Sequence, residues 1–228
     1  YKFLQEGYSI DSYGGFIVDG IFQNEEEVKN NAVINRANAG PGDFKYRDVK
    51  EDGVIDAEDR VYLGCSTPKW IFGLNLSATW KNLDASVFFQ GAADVKGFLH
   101  SWAVGELMGD KSKPSSLYRD AWDAETNPDG KFPRPLSSWS QNSSVYYNSS
   151  FWMRNASYLR LKNLQIGYTI PKEWLNILNI EKVRFYYSGQ NMLTITKYPK
   201  GFDPERTYTD GGSNPLLRAH TFGVNIVF

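Results

Sequence analysis

An all-β fold, built as an antiparallel segment of a transmembrane β-barrel, is predicted by three observations. Apolar and polar residues alternate with period two in separate blocks, the pattern of strands that present one apolar face. The connections between those blocks run long, short, long, short and long in strict succession. Aromatic residues make up 15% of the 228 positions, although the chain is polar on average, which suits a half-buried sheet edged by rings. No apolar run approaches the ~20 residues that a membrane helix needs. Barrel strands leave no such peak, because every second side chain is polar.

The elements follow in order. Phe16, Val18, Gly20 and Phe22 mark a first, weaker strand near 13–22. Residues 25–37 carry a short helical pattern within the following connection. A strand near 69–81 places Trp70, Phe72, Leu74, Leu76, Ala78 and Trp80 on one face and Ile71, Gly73, Asn75, Ser77 and Thr79 on the other. After a tight turn at Lys81-Asn82, the strand near 83–92 alternates Leu83, Ala85, Val87 and Phe89 with Asp84, Ser86, Phe88 and Gln90. The block 157–170 changes phase: Leu159 and Leu161 share one parity, and Leu164, Ile166, Tyr168 and Ile170 share the other. A β-bulge near Lys162-Asn163 reconciles them, since one extra residue swaps the faces, and is preferred to a strand that faces lipid over only part of its length. Pro171 opens a second short helix over 172–178, as proline is permitted in a first helical turn. Strands near 182–194 and 218–228 complete the set, the latter alternating Phe222, Val224, Ile226 and Phe228 with Gly223, Asn225 and Val227.

In an antiparallel meander, alternating connection lengths gather the long loops (23–68, 93–156 and 195–217) at one end and the short turns at the other. Outer-membrane barrels sort their extracellular loops and periplasmic turns in this way. Trp70 and Trp80 lie on one face about ten residues apart, ~33 Å along a strand. With the usual tilt they stand ~25 Å apart along the membrane normal, the height of the apolar band. Six strands cannot close a barrel, and an open edge in lipid leaves unpaired backbone groups. Further strands are therefore expected from outside this stretch.

Composition removes several functions. Lys and Arg number 25 against 26 Asp and Glu, so the basic surplus that nucleic acid requires is missing. Cys65 is the single cysteine, which leaves no disulfide framework or thiolate cluster. His100 and His220 are too far apart in sequence to suggest a metal pair or a triad. Loop carboxylates such as Asp120 and Asp123 could be paired as acid and base, but acidic loop residues are common and no enzyme is expected. The stretch 48–59 has the spacing of a calcium loop, with Asp48, Asp52, Asp56 and Asp59 at the ligand positions, Gly53 at the turn and Val54 offering its carbonyl. Lys50 stands where an acceptor is wanted, and the competing reading is an acidic turn whose carboxylates cap backbone amides. No cofactor is otherwise required. Trp102, Trp122, Trp139, Tyr146, Tyr147 and Trp152 crowd the longest loop; such rings can stack on sugars, but packing within the loop or against a partner is the preferred reading.

Thr221, Gly223, Ile226 and Phe228 fit a polar-x-Gly-x-x-apolar-x-aromatic pattern that resembles the insertion signal of outer-membrane barrels. Six ordered stretches resemble the SusC/RagA family of TonB-linked outer-membrane proteins: YGGFIVDGIF (13–22), PGDFKYRDVKEDGVIDAEDRVYLG (41–64), TPKWIFGLNLSATWKNLDASVFFQG (67–91), SYLRLKNLQIGYTIPKEWL (157–175), VRFYYSGQNMLTITKYPKGFDPE (183–205) and RAHTFGVNIVF (218–228). The resemblance implies the C-terminal part of a 22-stranded TonB-dependent transporter barrel in the bacterial outer membrane, with a plug domain and TonB contact supplied by a missing N-terminal part. It also implies a SusD-like lipoprotein partner and an oligosaccharide or, in some members, peptide ligand. Arg160, Lys162, Arg184 and Gln190 are then candidates to face the lumen. The alternative is a soluble secreted β-sandwich that binds glycans with the support of a calcium loop. It explains the aromatics and the acidic loop but neither the sorted connections nor the aromatic ending.

Overall fold

The computed structural model describes residues 3–34, 39–99, 119–135, 147–175, 180–209 and 216–228. The chain divides into two compact units. The sheet unit comprises Pro68–Val95, Asn155–Glu205 and Asn214–Phe228; the loop unit comprises Tyr1–Thr67, Lys96–Arg154 and Arg206–Ser213.

The sheet unit holds β5 (Trp70–Trp80), β6 (Leu83–Ala93), β9 (Tyr158–Thr169), β10 (Lys182–Thr196) and β12 (Ala219–Val227), hydrogen-bonded in the order β12-β10-β9-β6-β5. All four pairings are antiparallel. The β5–β6 hairpin turns through Lys81, whose positive φ of 55° closes the two-residue link, and its ammonium lies 4.8 Å from the Trp80 ring. On the other short connection, Pro171 precedes α2 (Lys172–Leu175), and its carbonyl accepts from the Trp174 amide at 3.2 Å. The rest of the helix expected over 172–178 lies outside the described residues.

Register decides which side chains share a face. Leu74, Leu76, Ala78 and Trp80 pair with Phe89, Val87, Ala85 and Leu83, which pair onward, from Leu83 to Val87, with Tyr168, Ile166 and Leu164. The row continues through Phe185 and Tyr187 to Val224 and Phe222. The phase change in 157–170 is a bulge: Phe88 pairs with Asn163 and Phe89 with Leu161, which leaves Lys162 as the extra residue. Leu159 and Leu161 thereby return to the apolar face. Among the described residues nothing covers that face, with Phe72, Leu74 and Val224 exposed at 47%, 52% and 49%. These side chains do not converge on a dry centre, so the sheet is not half of a sandwich. The opposite face carries Ser77, Ser86, Gln165, Ser188 and Thr221 in one row across all five strands.

The block near 13–22 does not join this sheet. It folds as β1 (Ser12–Gly15) and β2 (Val18–Ile21), which pair antiparallel with β4 (Val61–Cys65) and β3 (Phe44–Tyr46). The physical reason lies at Phe16. Its amide donates to the Asn148 carbonyl and its carbonyl accepts from Ser150, both at 2.9 Å, and the ring is buried. Docking of that loop splits the alternating run into two four-residue strands, each ~13 Å long and too short for the apolar band. The helix expected over 25–37 is α1 (Glu25–Asn30), capped by the Asn24 side chain on the Glu27 amide and ended by extended Asn31.

Also in the loop unit, β7 (Lys96–Leu99) pairs with β8 (Met153–Asn155) and, in parallel, with β11 (Tyr208–Thr209). An aromatic core holds the unit: Phe44 and Phe151 lie 4.6 Å apart by ring centroid, Phe151 and Trp152 4.9 Å, and Phe132 and Phe151 5.1 Å. Trp122 is buried as well, and its indole donates to Gln23 at 2.9 Å.

Gly91 on β6 gives a sharp packing test. A Cβ there would lie 2.3 Å from the Phe72 ring and 2.8 Å from the Tyr158 carbonyl oxygen, and that backbone atom cannot swing away. Gly91→Ala is expected to destabilise the full-length barrel by about 1–3 kcal/mol. A Cβ at Gly20 would meet nothing within 4 Å, so Gly20→Ala is expected to be near neutral. The temperature at which the barrel loses its compact migration on a denaturing gel compares the two; equal shifts would contradict the packing.

Candidate functional site

The polar face of the sheet unit concentrates the chemistry into two charge clusters separated by uncharged rows. Near the short connections, Arg184 on β10 reaches across β9 to Asp84 on β6, with Nε 2.9 Å and Nη2 2.5 Å from the two carboxylate oxygens. The strand between them offers no obstacle because its residue at the crossing is Gly167, where a Cβ would stand 2.4 Å from the guanidinium. A bidentate pair of this kind is held in one geometry by both hydrogen bonds.

Toward the long connections, Arg160 is buried at 3% side-chain exposure. Its Nε donates to Thr194 Oγ1 at 2.9 Å, Nη2 to Asp203 at 2.7 Å, and Nη1 stands 2.9 Å from Glu205. Lys162, released from the ladder by the bulge, meets the same Glu205 oxygen at 2.7 Å. Two cations two residues apart on β9 thus face two carboxylates two residues apart in the segment after β10. That segment is pinned to the polar face over a small core of Ala92, Val95, Ala156, Tyr158 and Tyr198, with Phe202 packed against it. Burial without partners is costly for a guanidinium, so removing one partner of such a pair costs about 3–5 kcal/mol.

Of the candidates for the polar face, Arg160, Arg184 and Gln190 lie on it by register, and Lys162 reaches Glu205 from the bulge. Asp84, Asp203 and Glu205 as their partners were not anticipated. The signal was the matched spacing of Arg160-x-Lys162 and Asp203-x-Glu205, which becomes legible only once the chain is known to fold back. Thr221 and Gly223 lie on the polar face opposite Ser188 and Tyr186, and Ile226 pairs with Val183 on the apolar face; Phe228 follows β12 and is exposed. The Tyr186 ring lies over Gly223, so a Cβ there would stand 2.4 Å from it and the ring would have to shift.

The structure places Asp48, Asp52, Val54, Asp56 and Asp59 in one loop but gathers no donor set from them. Among the described residues, no three His, Cys, Asp or Glu side chains form a group able to hold a metal ion. The carboxylates accept from backbone amides instead: Asp48 from Glu51 and Gly53, both at 2.7 Å, Asp52 from Val54 at 2.9 Å, and Asp56 from Glu58 at 2.7 Å. Asp59, fully buried, accepts from Val49, Lys50 and Asp56. Lys50 pairs with Glu58. Asp123 likewise accepts from the amides of Glu125 and Thr126 and from the Thr126 hydroxyl, which closes a turn rather than arming a base. Trp122 and Trp152 are buried in the loop core, as packing requires; Trp102, Trp139, Tyr146 and His100 lie outside the described residues.

Asp59 makes stability depend on pH in a definite sense. Burial pushes its carboxyl up, but three amide donors and the nearby Lys50 outweigh burial and hold it below the usual range. Its contribution is therefore complete above ~pH 4, the ordinary carboxylate value, and is lost as pH falls through the lower folded-state value. Asp59→Asn is expected to reproduce the acid effect at neutral pH, raising amide exchange across 48–59 by a factor of ten or more, about 1–3 kcal/mol. Exchange unchanged by the substitution would refute the capping role.

Known proteins resemble this chain in sequence and in fold. No family profile matches the chain. It is 32% identical over its whole length to TonB-dependent receptor P3 of Formosa agariphila and 26% identical over 84% of its length to TonB-dependent receptor SusC of Bacteroides thetaiotaomicron. The solved RagAB peptide transporter superposes on 99% of the chain with a TM-score of 0.71 at 22% identity. The chain spans 23% of receptor P3, 18% of SusC and 24% of the matched RagAB chain. These relatives are receptors and transporters, not enzymes. From end to end the chain is similar to a segment of these TonB-dependent receptors, and its antiparallel sheet has the fold of the corresponding RagAB segment.

Proposed function

We propose that the full-length protein is a TonB-dependent importer of oligosaccharides in the bacterial outer membrane, working with a SusD-like surface lipoprotein. This segment supplies barrel wall, extracellular loops and, through Thr221, Gly223, Ile226 and Phe228, a signal for insertion. The supporting observation is the uncovered apolar face of the five-stranded sheet, backed by a polar face. Exposed Trp70 and Trp80 stand at its two ends, where rings favour membrane interfaces. The short connections are then periplasmic and the long ones extracellular. Oligosaccharide is favoured over peptide by the polar face, whose Asp84 and Arg184 charges are paired internally and whose middle rows present hydroxyl and amide groups.

Neighbouring residues on opposite faces test the membrane reading. Leu76→Arg puts a charge into lipid and is expected to cost about 2–4 kcal/mol, depleting folded receptor from outer membranes. Ser77→Arg, on the other face, is expected to leave the folded level nearly unchanged; equal tolerance would defeat the assignment of faces. Uptake of labelled oligosaccharide by cells carrying the full-length receptor is expected to stop when TonB is removed. Uptake that persists without TonB, or that serves peptides alone, would overturn the mechanism or the substrate class respectively.

A further inference from the structure

The segment pinned by Arg160 forms one wall of a cleft of about 420 Å³. The opposite wall is the end of β10, where Asn191, Thr194 and Thr196 project, and Leu216 and Arg218 complete the lining. Among the described residues, the charges in this cleft do not balance: Arg160, Lys200 and Arg218 line it against the carboxylate of Asp203. Asp203 is spoken for by Arg160, and the neighbouring Lys162 and Glu205 cancel one another. Lys200 and Arg218 are both exposed, at the mouth of a concavity whose remaining polar groups are hydroxyls and an amide.

We propose that this cleft is a binding subsite for an acidic oligosaccharide, with Lys200 and Arg218 receiving a carboxylate or sulfate; the Asn191 side-chain oxygen and the Thr194 hydroxyl hydrogen, left over by the bonds to Leu217 and Arg160, serve the sugar hydroxyls. The inference rests on the importer reading above and deepens it by naming a charged substrate class. Ammonium and guanidinium groups suit such an anion as point charge and planar fork. Pinning matters to the site: Arg160 contributes no free charge to ligand but holds the Pro199–Pro204 wall in place, so it is a positioning residue.

The test uses the purified full-length receptor in detergent and a panel of uronate tetramers, each compared with its carboxyl-reduced neutral counterpart, by calorimetry. The wild type is expected to bind at least one uronate tetramer ten-fold or more tightly than its reduced form, with affinity falling as salt rises. Lys200→Ala combined with Arg218→Ala is expected to abolish that preference while leaving binding of the neutral form unchanged, and Lys200→Arg combined with Arg218→Lys to retain most of it. No preference in the wild type, or equal loss of both ligands in the double alanine variant, overturns the subsite. Acidic peptides bound through Lys200 and Arg218 in place of the uronates overturn its ligand class. Uptake by intact cells separates the two levels: import of neutral oligosaccharides alone defeats the subsite and leaves the importer standing, whereas import of no oligosaccharide defeats the importer.

Discussion

Every feature of the sheet unit depends on one constraint: backbone amides and carbonyls must be paired within the sheet while one face of side chains meets an apolar medium. Side-chain direction alternates strictly along a strand, so pairing and facing are one decision taken along each ladder. The four ladders carry that decision from Leu76 across Val87 and Leu164, and from Ile166 across Tyr187 to Phe222. Where β9 would lose the phase, the bulge at Lys162 restores it. The polar face follows as the complement of the apolar one, and its charges can be paired because they are all directed to the same side.

Side chains on such a wall are too long to stand upright next to equally long neighbours, and glycine resolves the crowding. Phe72 lies over Gly91, Tyr186 over Gly223, and Arg184 passes Gly167 to reach Asp84. These contacts couple adjacent strands through their side chains as well as through the ladder. In the loop unit the same demand for packing is met differently. Phe44, Phe132, Phe151 and Trp152 make a small core that lets long connections hold a defined shape.

Much of this was legible in the residues. The five wall strands, the turn at Lys81-Asn82 and the bulge at Lys162 announce themselves because alternation is a local signal that needs no knowledge of the fold. The block 13–22 misled for the same reason. Its alternation is as good as that of a weak wall strand, but the decisive contact, Phe16 with the Asn148–Ser150 stretch, is separated by more than a hundred residues. The acidic loop was ambiguous at the level of composition, since carboxylates spaced for a cation are also spaced to cap amides, and only direction distinguishes them. The charge clusters of the polar face were half visible: Arg160, Lys162 and Arg184 stood out by phase, whereas their partners depend on a fold-back and on a strand crossing at Gly167.

The bulge at Lys162 behaves like a compensating frameshift. Upstream of it, odd-numbered residues of β9 face the apolar side; downstream, even-numbered ones do, and the two conventions meet at a single supernumerary residue. Excising that residue while keeping the downstream register would restore an unbroken count but send Leu159 and Leu161 to the wet side and turn Arg160 outward, away from Asp203 and Glu205. Insertion and anchor are thus heritable only as a pair. The identity of residue 162 sets the pair with Glu205, whereas its mere presence sets the phase that aims Arg160 at carboxylates more than forty positions further along.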